Sequence, residues 1–230
     1  MFRKISLVMI AAAFLLSSAA GFAANSLDVN GAAAVEGSYG LELTFDGSNN
    51  LFYVRDNSPT QETTYRASFW LEEGTLHMVN CGTFCSTQFM FLAGMDASTG
   101  FTALRIIAGR MTTDGPSGER HLYRFSVRND YGGFLYVGGV ILDDSVVRKH
   151  ITIEWQQGTP GGGDGIARLY TSNDGGTPNL QYSITYNNSS YVIDQVLIGG
   201  VAGLGDTASD AQTTGTLHFD SFESYRTLLP

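Results

Sequence analysis

The sequence predicts an all-β fold, a two-sheet antiparallel β-sandwich, and three observations carry that prediction. Apolar residues recur with period two and not at the three- and four-residue spacing of a helix face. The alternating stretches are short and numerous. Between them stand pieces rich in Gly, Asn and Asp, the residues that tight turns require. The totals agree. The 230 residues include 28 Gly against 5 Pro, with 43% hydrophobic and 15% charged, so a core is available and disorder is not expected.

The first residues are read as a leader. Arg3 and Lys4 precede the apolar run "ISLVMIAAAFLLSSAA", and Gly21 and Ala23 offer small residues before a cleavage point. This pattern predicts a signal peptide over 1–23 and a secreted, periplasmic or extracellular, single domain over 24–230. No later stretch approaches the roughly 20 apolar residues of a spanning helix, so no membrane insertion is expected. The formal net charge is −9, and loss of Arg3 and Lys4 makes the remainder more acidic. That balance argues against nucleic acid or an anionic lipid surface as partner. Cys81 and Cys85 in "NCGTFCST" are predicted to close a short disulfide after export.

About a dozen strands can be read along the chain. "YGLELTF" (39–45) and "LFYVR" (51–55) come first, separated by the turn "FDGSNN". In "TTYRASFWL" (63–71), Tyr65, Ala67, Phe69 and Leu71 share one face and Arg66, Ser68 and Trp70 the other. "TQFMFLAG" (87–94) and "FTALRIIAG" (101–109) follow. In "HLYRFSVR", Tyr123, Phe125 and Val127 alternate with Arg124, Ser126 and Arg128. Next are "GFLYVGGV" (133–140) and "KHITIEW", where Ile151, Ile153 and Trp155 form an apolar face that assigns Trp155 to the core. "IARLYTS" (166–172), "LQYSITY" (180–186), "DQVLIGGV" (194–201) and "TLHFDSFESYR" (216–226) complete the set.

Three pieces in order carry a resemblance: "YVRDNSPTQETTYRASFWL" (53–71), "KHITIEWQQGTPGGGDGIARLYTSNDG" (149–175) and "IDQVLIGGVAGLGDTASDAQTTGTLHFDSFESYR" (193–226). Together they resemble exported bacterial laminin-G-like jelly-roll domains of the concanavalin A-like lectin/glucanase superfamily. The resemblance implies two curved sheets face to face, with the N- and C-terminal strands side by side. It also implies sugar binding on a concave face or loop rim, and in some members calcium at the sandwich edge. Its lectins, adhesion domains, glycanases and lyases leave the function open.

Catalytic motifs are scarce. Retaining glycanases of this architecture need alternate carboxylates on one strand, and Asp220 and Glu223 are three apart, on opposite faces of an undisturbed strand. Only a bulge would bring them together. The strings of jelly-roll lyases are missing, although His150, Tyr136 and Arg105 are the right residue types for a concave-face set. No nucleophile elbow, H-E-x-x-H or paired C-x-x-C occurs. For a structural calcium, Asp46 in "FDGSNN" and Asp220 are the candidate ligands, brought together if the terminal strands pair. For an extracellular polysaccharide or other glycan, Arg66, Trp70, Arg105 and Arg124 are the candidate contacts. If their strands line one sheet they make a basic, aromatic stripe suited to an acidic polysaccharide. The leading expectation is therefore a lectin-like, non-catalytic carbohydrate-binding module. A polysaccharide-cleaving lyase or glycanase on the same fold is the alternative. A self-assembling surface or adhesion protein is the third, to be marked by long unpaired edge strands.

Overall fold

The structure is a computed structural model, and it describes residues 24–79, 88–111, 119–143, 145–173, 175–204 and 213–230. The leader and the Cys81–Cys85 pair lie outside the described residues. Among the described residues every element is a strand, and no helix is long and apolar enough to cross a membrane.

One sheet has eight strands. Its order is β1 (Ser26–Asn30), β2 (Gly40–Asp46), β14 (Thr213–Tyr225), β4 (Thr64–Glu73), β10 (Arg148–Gln156), β11 (Gly165–Ser172) and β12 (Asn179–Tyr186), with the two-residue β5 (His77–Met78) also pairing with β14. The second sheet has six: β3 (Phe52–Asp56), β13 (Gln195–Ala202), β6 (Gln88–Asp96), β7 (Phe101–Arg110), β8 (Arg120–Arg128) and β9 (Phe134–Asp143). The pairings are antiparallel, and β14 lies against β2 as the resemblance implies. β1 and β5 escape the sequence reading, because five mixed residues and two residues are too short to show a period.

The alternation seen in the sequence becomes the division between core and surface. Tyr65, Ala67, Phe69 and Leu71 point inward from β4, Tyr123, Phe125 and Val127 from β8, and Ile151, Ile153 and Trp155 from β10; all are buried. The sheets meet through aromatic rings. Phe69 stacks on Phe219 at 4.4 Å within the eight-stranded sheet, and Phe91 of the other sheet meets Phe219 edge-on at 6.4 Å and Tyr123 at 5.7 Å. Each such ring contributes about 1.5–3 kcal/mol through burial.

Two irregularities place functional side chains. In β14 the register shifts between Asp220 and Glu223, and Ser221 takes a φ of 51°. The extra residue turns both carboxylates to the outer face, Asp220 opposite Trp70 and Glu223 opposite Ser68. In β9 the register shifts beside Val137, so that Tyr136 faces Ser126 and Gly138 faces Phe125. Tyr136 thereby joins the outer face of the six-stranded sheet.

Candidate functional site

The outer face of the six-stranded sheet holds a groove of about 550 Å3 lined by Gln88, Arg105, Ile107, Leu122, Arg124, Ser126, Phe134 and Tyr136. Strand alternation builds it. Arg105 and Ile107 are the outward residues of β7, and Leu122, Arg124, Ser126 and Arg128 those of β8. The β7–β8 register sets Arg105 opposite Ser126 and Ile107 opposite Arg124. Arg105 therefore sits diagonally between Arg124 and Arg128, about 7–8 Å from each at the backbone.

The three guanidinium groups differ in how they are held. Arg105 stands 3.5 Å over the ring of Phe134, and its buried Nε has no hydrogen-bond partner. Burial lowers its pKa, and the charges of Arg124 and Arg128 lower it further. Arg124 donates from Nη2 to Oε1 of Gln88. Arg128 donates to the carbonyls of Thr102 and Gly132 at 3.0 and 2.8 Å and also faces Phe134, at 4.6 Å. Among the described residues no carboxylate pairs with any of the three. Ile107 and Leu122 give the groove an apolar floor, and Tyr136 stands at its edge. Burial raises the Tyr136 phenol, the nearby Tyr182 adds to that, and Arg124 opposes it. Such a site presents cations that cannot be deprotonated, an apolar surface and one phenol to whatever enters.

The four expected glycan contacts divide between two faces. Arg105 and Arg124 share the groove. Arg66 and Trp70 lie on the outer face of the eight-stranded sheet, on the far side of the sandwich, so the single stripe does not form. Arg66 stacks on Tyr225 at 4.1 Å. Trp70 is only 3% exposed. The turn at Gly175 lies on its indole so closely that a methyl group there would come within 3.0 Å of Cζ2. Arg148 and His150 flank the ring at 5.7 and 5.3 Å. Trp70 is thus a packed residue, covered by a loop whose path the strand alternation does not reveal. His150 belongs to this same face, where its Nε2 lies 3.2 Å from Ser68 Oγ. It therefore does not converge with Tyr136 and Arg105. Tyr136 and Arg105 do share the groove, while Gln88 and Phe134 line it without having been singled out. Gln88 opens β6 and Phe134 opens β9, at strand ends where alternation carries little signal, and the bulge in β9 obscures the facing of Tyr136.

The carboxylates answer separately. Asp220 Oδ2 accepts the backbone N–H groups of Val35 and Glu36, both at 2.7 Å, and Oδ1 accepts that of Ser221 at 2.6 Å. It pins the segment before β2 onto the sheet. Glu223 shares its face, as a bulge permits, but accepts from Tyr225 instead. Asp46 pairs with Thr214, six residues before Asp220 on β14, and accepts from the Ser48 N–H at 2.8 Å. Six strand residues span about 20 Å, so Asp46 and Asp220 cannot ligate one ion, although the terminal strands do pair. No group of three or more metal-ligating side chains occurs among the described residues.

A second polar cluster closes one end of the sandwich. Glu73 accepts from the Tyr123 hydroxyl at 2.5 Å and contacts His121 Nδ1 at 3.0 Å. The Nε2 of His121 lies 2.7 Å from Glu119, which also takes the Met78 N–H, His77 and Arg110. Burial disfavours the charged imidazole of His121, but Glu73 and Glu119 outweigh it and raise its pKa. Burial likewise opposes the charge of Glu119, and its hydrogen bonds from Met78, His121 and His77 prevail to lower its pKa. Both ring nitrogens of His121 and both carboxylate oxygens of Glu119 are already engaged, which marks the cluster as a clamp on the ends of β4, β5, β7 and β8.

No protein-family model and no curated protein matches the chain. Solved structures do. A cellulose-induced protein, Cip1, is 16% identical with a TM-score of 0.52, over 88% of this chain and 86% of that one. The endo-β-1,4-glucuronan lyase of the fungus Trichoderma reesei is 9% identical with a TM-score of 0.50, over 87% and 86%. At these identities the likeness is one of fold. With its two antiparallel sheets and paired terminal strands, the chain is a jelly-roll β-sandwich of the kind found in these polysaccharide-related proteins.

Proposed function

We propose that this protein is exported and acts on an acidic polysaccharide held in the arginine groove of the six-stranded sheet. One observation carries the reading: Arg105 and Arg124 line a groove with an apolar floor on an acidic protein, Arg128 stands beside them over the shared Phe134 ring, and no carboxylate pairs with any of the three among the described residues. Guanidinium groups without a carboxylate partner invite carboxylate or sulfate, which they can bind with two parallel hydrogen bonds. The apolar floor and Tyr136 suit the C–H faces of a sugar ring.

Binding alone and binding followed by cleavage are both open to such a groove. The fold neighbours support cleavage, since one of them is named as a glucuronan lyase. Elimination removes the proton beside the uronate carboxylate, forms a double bond to the neighbouring carbon, breaks the glycosidic C–O bond there and protonates the leaving oxygen. Arginines on the carboxylate make that C–H more acidic. Tyr136 is the proton carrier in the groove: as phenolate it takes the first proton, and as phenol it returns it to the leaving oxygen. Its raised pKa makes the phenolate scarce at neutral pH, so elimination speeds up as pH rises towards that pKa.

The experiment is electrophoresis of the protein through gels containing glucuronan, alginate or a neutral glucan. Ultraviolet absorbance follows the unsaturated product in parallel. Retardation by an acidic polysaccharide, lost in Arg105→Ala and Arg124→Ala, is the expected result. Retardation without absorbance leaves a binding module. No retardation by either acidic polymer sinks the reading.

A further inference from the structure

The groove does not end in a wall. Its outer strand, β9, is the edge of the six-stranded sheet, and β12 is the edge of the eight-stranded sheet on the same side of the sandwich. The two edges meet at Gly138. A methyl group there would come within 2.1–2.9 Å of the Tyr182 ring and its Cβ, so the ring lies directly on the backbone of β9. Although seated in this way, Tyr182 remains 45% exposed, beside Leu180 at 54%, with Tyr136 at 55% on the groove side.

Charge distinguishes this side of the molecule. β12 carries no charged residue, and β9 carries none before Asp143 at its end. The edges on the opposite side, β1 and β3, are five residues each and carry Asp28, Arg55 and Asp56. On an acidic protein, a neutral aromatic strip is a path along which an anionic chain meets no carboxylate.

We infer that the binding surface continues from the arginine groove over β9 onto β12, where Tyr182 provides a further stacking position for a sugar ring of a longer chain. The inference rests on the groove reading and adds a preference for length. The arginine groove holds the acidic groups of a short segment, and Tyr182 adds contact only when the chain reaches past the sheet edge. Gly138 is a positioning residue, because its missing side chain is what lets the ring settle there.

The test compares wild type, Tyr182→Ala and Tyr182→Phe by calorimetry, with glucuronan and alginate each offered as polymer and as disaccharide. Thermal melting checks that the exposed substitution leaves the fold intact. The expected result is binding of polymer about threefold to tenfold weaker in Tyr182→Ala. Disaccharide affinity stays unchanged, and Tyr182→Phe behaves as wild type. Equal polymer affinity in wild type and Tyr182→Ala overturns the inference, and so does a parallel loss for both lengths. A wild type that binds neither length removes the groove reading itself. Light scattering supplies the remaining outcome: a wild-type dimer that Tyr182→Ala turns into monomer overturns the inference and gives the strip to a second copy of the chain.

Discussion

Asp220 Oδ2 lies 2.7 Å from the backbone nitrogen of Val35, a residue 185 positions earlier in the chain. With Glu36 and Ser221 it completes a carboxylate held by three backbone N–H groups. Removing it leaves those donors without a partner at a partly buried site. Asp220→Ala is expected to cost about 2–3 kcal/mol, a fall in Tm of about 4–12 °C. Retardation by acidic polysaccharide should persist. Its loss in a folded variant would give Asp220 a part in glycan binding that its backbone contacts do not predict.

The separation of Asp46 and Asp220 makes a second prediction. Groups this far apart without a shared ion act independently. The destabilisations of Asp46→Ala and Asp220→Ala should add within about 0.5 kcal/mol in the double variant. A larger coupling, abolished by a calcium chelator, would show one ion joining them.

Trp70 and Arg124, both expected from alternation as glycan contacts, should behave differently. Trp70→Ala empties a packed site and should cost about 3–5 kcal/mol, while the folded fraction keeps its glycan affinity. Arg124→Ala should leave Tm nearly unchanged, because Gln88 is its partner in a solvent-facing contact. It should weaken acidic-polysaccharide binding about tenfold or more. Affinity titrations beside thermal melts separate the two.

The His121 clamp makes stability depend on pH in a defined direction. His121 has a folded pKa above the ordinary histidine value of about 6.5, so its contribution is complete below that value and is lost as pH rises through the folded pKa. Glu119 has a folded pKa below 4.5, so its contribution is complete above that value and is lost as pH falls through the folded pKa. The clamp should therefore hold best between about pH 4.5 and about pH 6.5. The Tm gap between wild type and His121→Gln should be widest in that window and shrink on the alkaline side. A gap that stays constant into alkaline pH would mean a neutral imidazole.

The sequence by itself determined the class of fold and the residues of the core. Period-two alternation is a local property, and it assigns Phe69, Tyr123, Phe125 and Trp155 to one side of their strands whatever their neighbours are. It also assigns Arg105 and Arg124 to outward positions. What alternation cannot tell is which of two outer faces a residue occupies, because that depends on strand order. β4 and β7 fall in different sheets, and Arg66 and Trp70 thereby part from Arg105 and Arg124. Bulges were equally out of reach. One extra residue at Ser221 turned Asp220 and Glu223 to the same face, and one at Val137 delivered Tyr136 to the groove. Long-range covering was decided only by tertiary structure too. A turn at Gly175 buries Trp70, a loop anchored by Asp220 crosses the sheet, and Tyr182 rests on Gly138. Each joins residues distant in sequence, and the free energy that fixes such contacts comes from burial and hydrogen bonding between segments, which no local pattern records.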